Sequence, residues 1–222
     1  MKEIKDFVNV NGHQLYYELT LVDDSENKPL IVFLHEGLGS IQQWKNFPEE
    51  FCMENFFSFL VYDRYGHGKS EILSGPRSNN FVFEQADELN ELLTKIGITR
   101  NFFLFGHSDG ATIALIHAAH YPDKVLGVVS EAAHVVIEEF SCNGLMKAEE
   151  AYEKGKLREG LAKYHGEKTD LMLYGWVETW LRDDFKNWNM FDTLKKIQSP
   201  ILAIQGTDDE YGTYQQLELI KK

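Results

Sequence analysis

The chain has 222 residues, 43% hydrophobic and 26% charged, which suits one soluble domain with a sizeable core and no need for disulfide staples. A formal charge of −13 argues against phosphate backbones and anionic membranes as partners, so nucleic acid and membrane surfaces are excluded as expectations. No apolar run approaches the ~18 to 20 residues that cross a bilayer, and the charged start, Met1 to Asp6, reads as neither signal peptide nor anchor.

Cys52 and Cys142 lie far apart and match no metal-ligand or redox spacing. Two reduced thiols in a cytoplasmic protein is the expectation, with no metal and no cofactor implied.

In chain order, Phe7–Val10 and Gln14–Leu19 flank Asn11-Gly12, a dipeptide suited to a tight hairpin turn. Short, continuous apolar runs follow at Leu30–Leu34, Phe57–Tyr62, Phe102–Phe105, Val125–Val129 and Ile201–Ile204. Unbroken apolar runs are expected of strands buried on both faces of a parallel sheet. Between them, Phe83 to Ile96 places apolar residues at helical spacing, and Ala111 to His120 reads as a buried helix. Strands alternating with helices predict an α/β fold with a mostly parallel sheet. The rhythm breaks over roughly 135–188, which is helical, charged and aromatic. We therefore expect a core of 1–134 and 189–222 with a helical cap inserted at 135–188.

Four segments carry the chemistry. Phe105-Gly106-His107-Ser108-Asp109-Gly110-Ala111 matches Gly-x-Ser-x-Gly between a strand and a helix, the context in which glycines let the chain turn sharply and lift a serine hydroxyl above the sheet. Leu34-His35-Glu36-Gly37-Leu38-Gly39-Ser40 is a glycine-rich loop after a strand. Its Gly37 N–H and that of Asp109 can form an oxyanion hole. Tyr62 to Ser70 holds Gly66 and Gly68 for a tight turn, with Asp63 and Arg64 expected to make ion pairs or bond loop backbone. Finally, in Gln205-Gly206-Thr207-Asp208-Asp209, the Gly-x-x-Asp spacing favours Asp209 over Asp208 as the carboxylate that orients an imidazole.

These segments, in this order, resemble the α/β-hydrolase superfamily and look like a branch of small bacterial-type esterase-like hydrolases. The resemblance implies an eight-stranded sheet, a helical cap and a Ser–Asp–His triad in that chain order, with Ser108 and Asp209 as its first two members. It implies a histidine roughly two dozen residues past the acid, whereas 222 − 209 leaves 13 residues after Asp209, none of them histidine. The chain reads as short of the last strand and helix, with an exposed sheet edge that invites homo-oligomers. It is expected to be impaired in acyl transfer. His134 is the internal histidine placed to test as a substitute base; His107 adjoins the serine, and His35, His117, His120 and His165 read as structural or exposed. Glu36 stands where the broad family carries glycine, so its carboxylate either repels developing negative charge or turns away to a cap residue. The cap aromatics Tyr152, Tyr164, Tyr174, Trp176, Trp180 and Trp188 line a pocket or pack between helices.

The expected function is hydrolysis of a small carboxylic ester or related acyl bond. Carbon–carbon bond hydrolysis or cofactor-free perhydrolysis on the same triad, and non-catalytic binding of a small ligand, are the alternatives. A serine at position 108 disfavours the dehalogenase branch, which uses aspartate there.

Overall fold

The computed structural model describes residues 1–23 and 28–221. A hairpin opens it: β1 (Lys2–Val10) and β2 (His13–Leu21) pair antiparallel around Asn11 and Gly12, both at positive φ (51° and 90°), as a two-residue turn matching strand twist requires. The continuous apolar runs form β3 (Leu30–Leu34), β4 (Ser58–Tyr62), β5 (Phe102–His107), β6 (Val125–Glu131) and β7 (Ile201–Ile204). They assemble a seven-stranded sheet in the order β1-β2-β4-β3-β5-β6-β7. β2 meets β4 antiparallel, and every later pairing is parallel. The predicted mostly parallel α/β sheet is what the chain adopts, with seven strands among the described residues rather than eight.

Alternation along each strand separates two apolar layers. On one face Leu30, Val32, Leu34, Leu60 and Leu104 join the large core with α2 (Phe81–Lys95) and α3 (Asp109–His120). On the other, Ile31, Phe33, Phe59 and Val61 pack with Cys52 of α1 (Phe47–Glu54). This second face is left uncovered toward β7, where Leu202 is 59% and Ile204 40% exposed.

Between β6 and β7 run α4 (Glu139–Lys154), α5 (Leu157–His165), α6 (Thr169–Leu181) and the short α7 (Phe191–Leu194); α8 (Gln215–Ile220) follows β7. An isolated bridge, Val136 to Asn189, closes the base of this helical excursion. Its free end is tied to the sheet's loops by His165, whose Nδ1 accepts the Gly68 N–H at 3.0 Å and whose Nε2 donates to the Leu38 carbonyl at 3.0 Å. Lys168 adds a hydrogen bond to the Gly68 carbonyl at 2.6 Å. The helices therefore sit over the carboxyl ends of the strands.

β5 and α3 approach so closely that two glycines are obligatory. A Cβ on Gly106 would stand 2.4 Å from the Gly110 carbonyl oxygen, and one on Gly110 would stand 2.1 Å from that of Leu34. Both obstacles are backbone, so neither can give way cheaply. Gly110→Ala is expected to destabilise the fold by about 2–3 kcal/mol, as overpacking a tight core does, read as a lowered urea midpoint with an unchanged denaturant slope.

Candidate active site

Ser108 occupies the turn between β5 and α3 with φ 53° and ψ −119°, a conformation that costs a non-glycine residue roughly 1–3 kcal/mol. The turn is held from both sides. Ser108 donates its N–H to the Glu131 carbonyl at 2.8 Å, and its own carbonyl accepts from Ala111 and Thr112 at 2.9 and 3.0 Å. Asp109 begins α3, so its N–H lacks the helical partner four residues back.

The loop after β3 is oriented by one carbonyl. The oxygen of Glu36 accepts hydrogen bonds from Arg64 Nη2 (2.7 Å), His35 Nδ1 (2.8 Å) and the Gly39 N–H (3.0 Å). A trans peptide is planar, with its N–H opposed to its C=O. Since the Glu36 oxygen is drawn toward the buried Arg64 and His35, the Gly37 N–H on the same peptide is turned the other way. Arg64 is fully buried and also donates to Gln85 Oε1 at 2.6 Å. His35 accepts the Arg64 backbone N–H through Nε2 at 3.1 Å, which assigns the Nδ1–H tautomer. Burial, and the Arg64 charge after it, hold its imidazole well below the ordinary histidine range. The expected structural role of His35 is thus its observed one. Asp63 accepts from the Ile41 and Lys69 backbone amides at 2.7 and 2.8 Å, the backbone alternative for this pair rather than the ionic one.

A cavity of about 320 Å³ opens above these loops. It brings together every site residue expected from sequence: Ser108, Asp209, Gly37, Asp109, Glu36, His107 and His134 all line it. Asp209 is half-buried in the wall while Asp208 is exposed. Its Oδ1 accepts the Tyr211 and Gly212 amides at 2.7 and 2.9 Å, which fixes the carboxylate. Trp176 and Trp180 are the aromatics of the 135–188 segment that line the cavity; Tyr152 is buried among the helices. Trp176 lies against Gly37 so closely that a Cβ there would stand 2.2 Å from its Nε1.

His134 is buried and commits Nε2 to the Tyr211 carbonyl at 3.0 Å. His107 faces Glu36, Nδ1 to Oε2 3.7 Å. Neither histidine hydrogen-bonds Ser108 among the described residues. The Glu36 side chain therefore pairs with the neighbour of the serine rather than with a residue of the overlying helices. Burial opposes the His107 charge, but Glu36, with Glu131 and Asp209 beyond it, outweighs burial and raises the imidazole pKa. For Glu36, burial pushes the carboxyl up, and His107, its own backbone N–H and Arg64 together bring it below the ordinary value. Among the described residues no group of three or more His, Cys, Asp or Glu is placed to hold a metal ion. No described helix is long and apolar enough to cross a membrane.

Sequence reasoning missed Gln43, Ser141 and the leucines at 145, 157 and 161 as cavity walls, and Ala132, which lines it at φ 54°. Nothing in local pattern marks them, because helix packing selects them. The anchoring role of His165 was equally hidden.

The model of the alpha/beta hydrolase fold family matches residues 29–190. The chain belongs to this family. Among curated relatives, it is 28% identical over 154 residues to an Escherichia coli 2-succinyl-6-hydroxy-2,4-cyclohexadiene-1-carboxylate synthase, covering 68% of this chain and 54% of that protein. It is 30% identical over 117 residues to the proline iminopeptidase of Arabidopsis thaliana, covering 53% and 29%. The chain thus spans about half, or less, of the length of these curated relatives. The enol-lactonase of Burkholderia xenovorans shares the hydrolase fold with TM-score 0.70 at 21% identity, covering 97% of this chain and 86% of that one.

The pairing of Glu36 with His107 yields a direct test. In an NMR titration the His107 imidazole is expected to titrate above the ordinary histidine value, and in Glu36→Gln its midpoint should fall, because burial then acts with less opposition.

Proposed function

We propose that this hydrolase-fold chain is the catalytic framework of a serine hydrolase for small carboxylic esters or related acyl bonds, with Ser108 as nucleophile. The observation that carries this reading is that one cavity is lined by Ser108 on its strained turn, by Gly37 and Asp109, and by Asp209, whose carboxylate is fixed by two backbone amides. Ser108 Oγ would attack the ester carbonyl. The Gly37 and Asp109 N–H groups would donate to the oxyanion that forms, at the point in the reaction where charge appears. Asp209 would orient a histidine that takes the serine proton and returns it to the leaving alcohol.

We propose further that this histidine lies beyond residue 222 in a longer form of the protein, since His107 is turned to Glu36 and His134 to Tyr211. Residues 135–188 would act as the lid, and 1–134 with 189–222 as the core. No organic cofactor or metal enters this mechanism, and the substrate is a small molecule. The named relatives include a synthase and iminopeptidases, so acyl-group chemistry outside simple esters stays within the same reading.

A serine without its base attacks slowly, because the hydroxyl must shed its proton during attack. A fluorophosphonate probe followed by peptide mass spectrometry is expected to modify Ser108 slowly in residues 1–222 and not at all in Ser108→Ala. Extension of the chain through a histidine-bearing segment should raise the labelling rate by several orders of magnitude, the scale of a missing triad member. Modification at another residue would refute the nucleophile assignment. Hydrolysis of p-nitrophenyl butyrate by residues 1–222, lost in His134→Ala, would transfer the role of base to His134.

A further inference from the structure

The walls of the cavity differ sharply in character. Toward the overlying helices they are apolar, formed by Leu145, Leu157, Leu161, Trp176 and Trp180. Toward the sheet they include the acidic residues Glu36 and Asp209 and the imidazole-bearing His107 and His134; Asp109 lines the cavity as well, but it is buried and its charge acts on Arg64 and Arg77. Among the described residues no lysine or arginine lines the cavity. The Arg64 guanidinium is buried beneath the loop, bonded to Gln85 and the Glu36 carbonyl, and Arg77 is buried as well.

A carboxylate entering this space would leave water and find no lysine or arginine in the walls. Burying an unpaired charge is among the largest penalties a site can impose. One group can modulate that penalty. Glu36 is faced by His107 from the end of β5, by the charge of Arg64 from the loop after β4 and, from α5, by His165. His107 in turn faces Glu36, Glu131 at the end of β6 and Asp209 beyond β7. When His107 carries a proton, the Glu36–His107 pair is close to neutral; without it, the Glu36 carboxylate keeps its charge with no ion-pair partner on the cavity side.

Resting on the reading of this cavity as a substrate site, we propose that Glu36 and His107 together select substrates by charge. Uncharged acyl groups enter, carboxylate-bearing ones are refused, and the refusal relaxes as His107 gains its proton. The substrate class is an uncharged, predominantly apolar acyl ester whose chain lies against the leucines and tryptophans.

Equilibrium binding tests this without turnover, since Trp176 and Trp180 report on the cavity by their fluorescence. Methyl pentanoate and monomethyl succinate make a suitable pair, similar in length and different in charge. At pH 8.5 the wild-type chain is expected to bind the neutral ester at least tenfold more tightly, and lowering the pH to 6 should shrink that ratio severalfold. In Glu36→Gln the ratio should fall to about threefold or less at pH 8.5, and its remaining pH dependence should shift to lower pH with the His107 midpoint. Glu36→Gly, which restores the residue the broad family carries, should behave as Glu36→Gln does and guards against an effect of the amide itself. Equal binding of the two esters by the wild type, or a ratio indifferent both to pH and to Glu36, overturns the selector while leaving labelling of Ser108 intact. If neither ester perturbs the tryptophans at millimolar concentration, the cavity is not the substrate site, and the selector falls together with the functional reading on which it rests.

Discussion

The site depends on the orientation of a single peptide unit. Three donors converge on the Glu36 carbonyl, one of them the fully buried Arg64 guanidinium. Removing that guanidinium from water is costly; its hydrogen-bond partners are an amide oxygen and a main-chain carbonyl, and the charge of Asp109 compensates it only through space. Such an arrangement is a poor source of net stability and a good source of geometry. With the oxygen fixed toward the core, rotation of the 36–37 peptide is opposed, and on the proposed function the Gly37 N–H would be in place before any substrate arrives. A donor that needs no reorganisation at the moment of reaction is what an oxyanion site requires.

The same economy governs the neighbouring loops. Asp63 satisfies two backbone amides, and its carboxylate sits where a Cβ on Gly68 would stand 2.2 Å away, so the turn after β4 closes around it. His165 and Lys168 then grip that turn and the Leu38 carbonyl from the helical segment above. A chain of hydrogen bonds thus runs from the buried arginine, through two loops, to the helices that roof the cavity. The strained conformation of Ser108 persists within this frame because its amide and carbonyl are both engaged and because Gly106 and Gly110 leave no room for the turn to relax.

The hydrolase fold was legible in the sequence because its signals are local. Strands buried on both faces write unbroken apolar runs, the Asn11-Gly12 turn writes itself in two residues, and glycines at 106 and 110 mark a close approach that any side chain would prevent. The residues gathered at the cavity were legible for the same reason: each stands just past a strand end, where parallel sheets present their loops. What stayed hidden was pairwise. That Glu36 would meet His107 rather than a helical residue above, that Arg64 would bond a carbonyl rather than Asp63, and that His165 would be an anchor all depend on contacts between segments far apart in the chain. Local periodicity carries no information about which distant side chain fills a given space. The leucines of α4 and α5 were invisible as cavity walls because an amphipathic helix shows which face is apolar, not what that face meets.

The division of labour between backbone and side chains explains how a wall rich in carboxylates can coexist with chemistry that develops negative charge. On the proposed function, amide donors at Gly37 and Asp109 would act over hydrogen-bond distance and along fixed directions, so their stabilisation would be confined to an oxygen seated between them. A lysine or arginine in the wall would stabilise that oxygen too, but it would also attract any anion to the ground state, spending binding energy where it does not accelerate the reaction. Carboxylates around the amide donors have the opposite effect on anions at large, while the imidazole of His107 moderates the one nearest the oxyanion loop. On the two proposals together, selectivity against charge and stabilisation of a transient charge would be compatible, because the first would be set by side chains acting through space and the second by two N–H groups whose aim the fold determines.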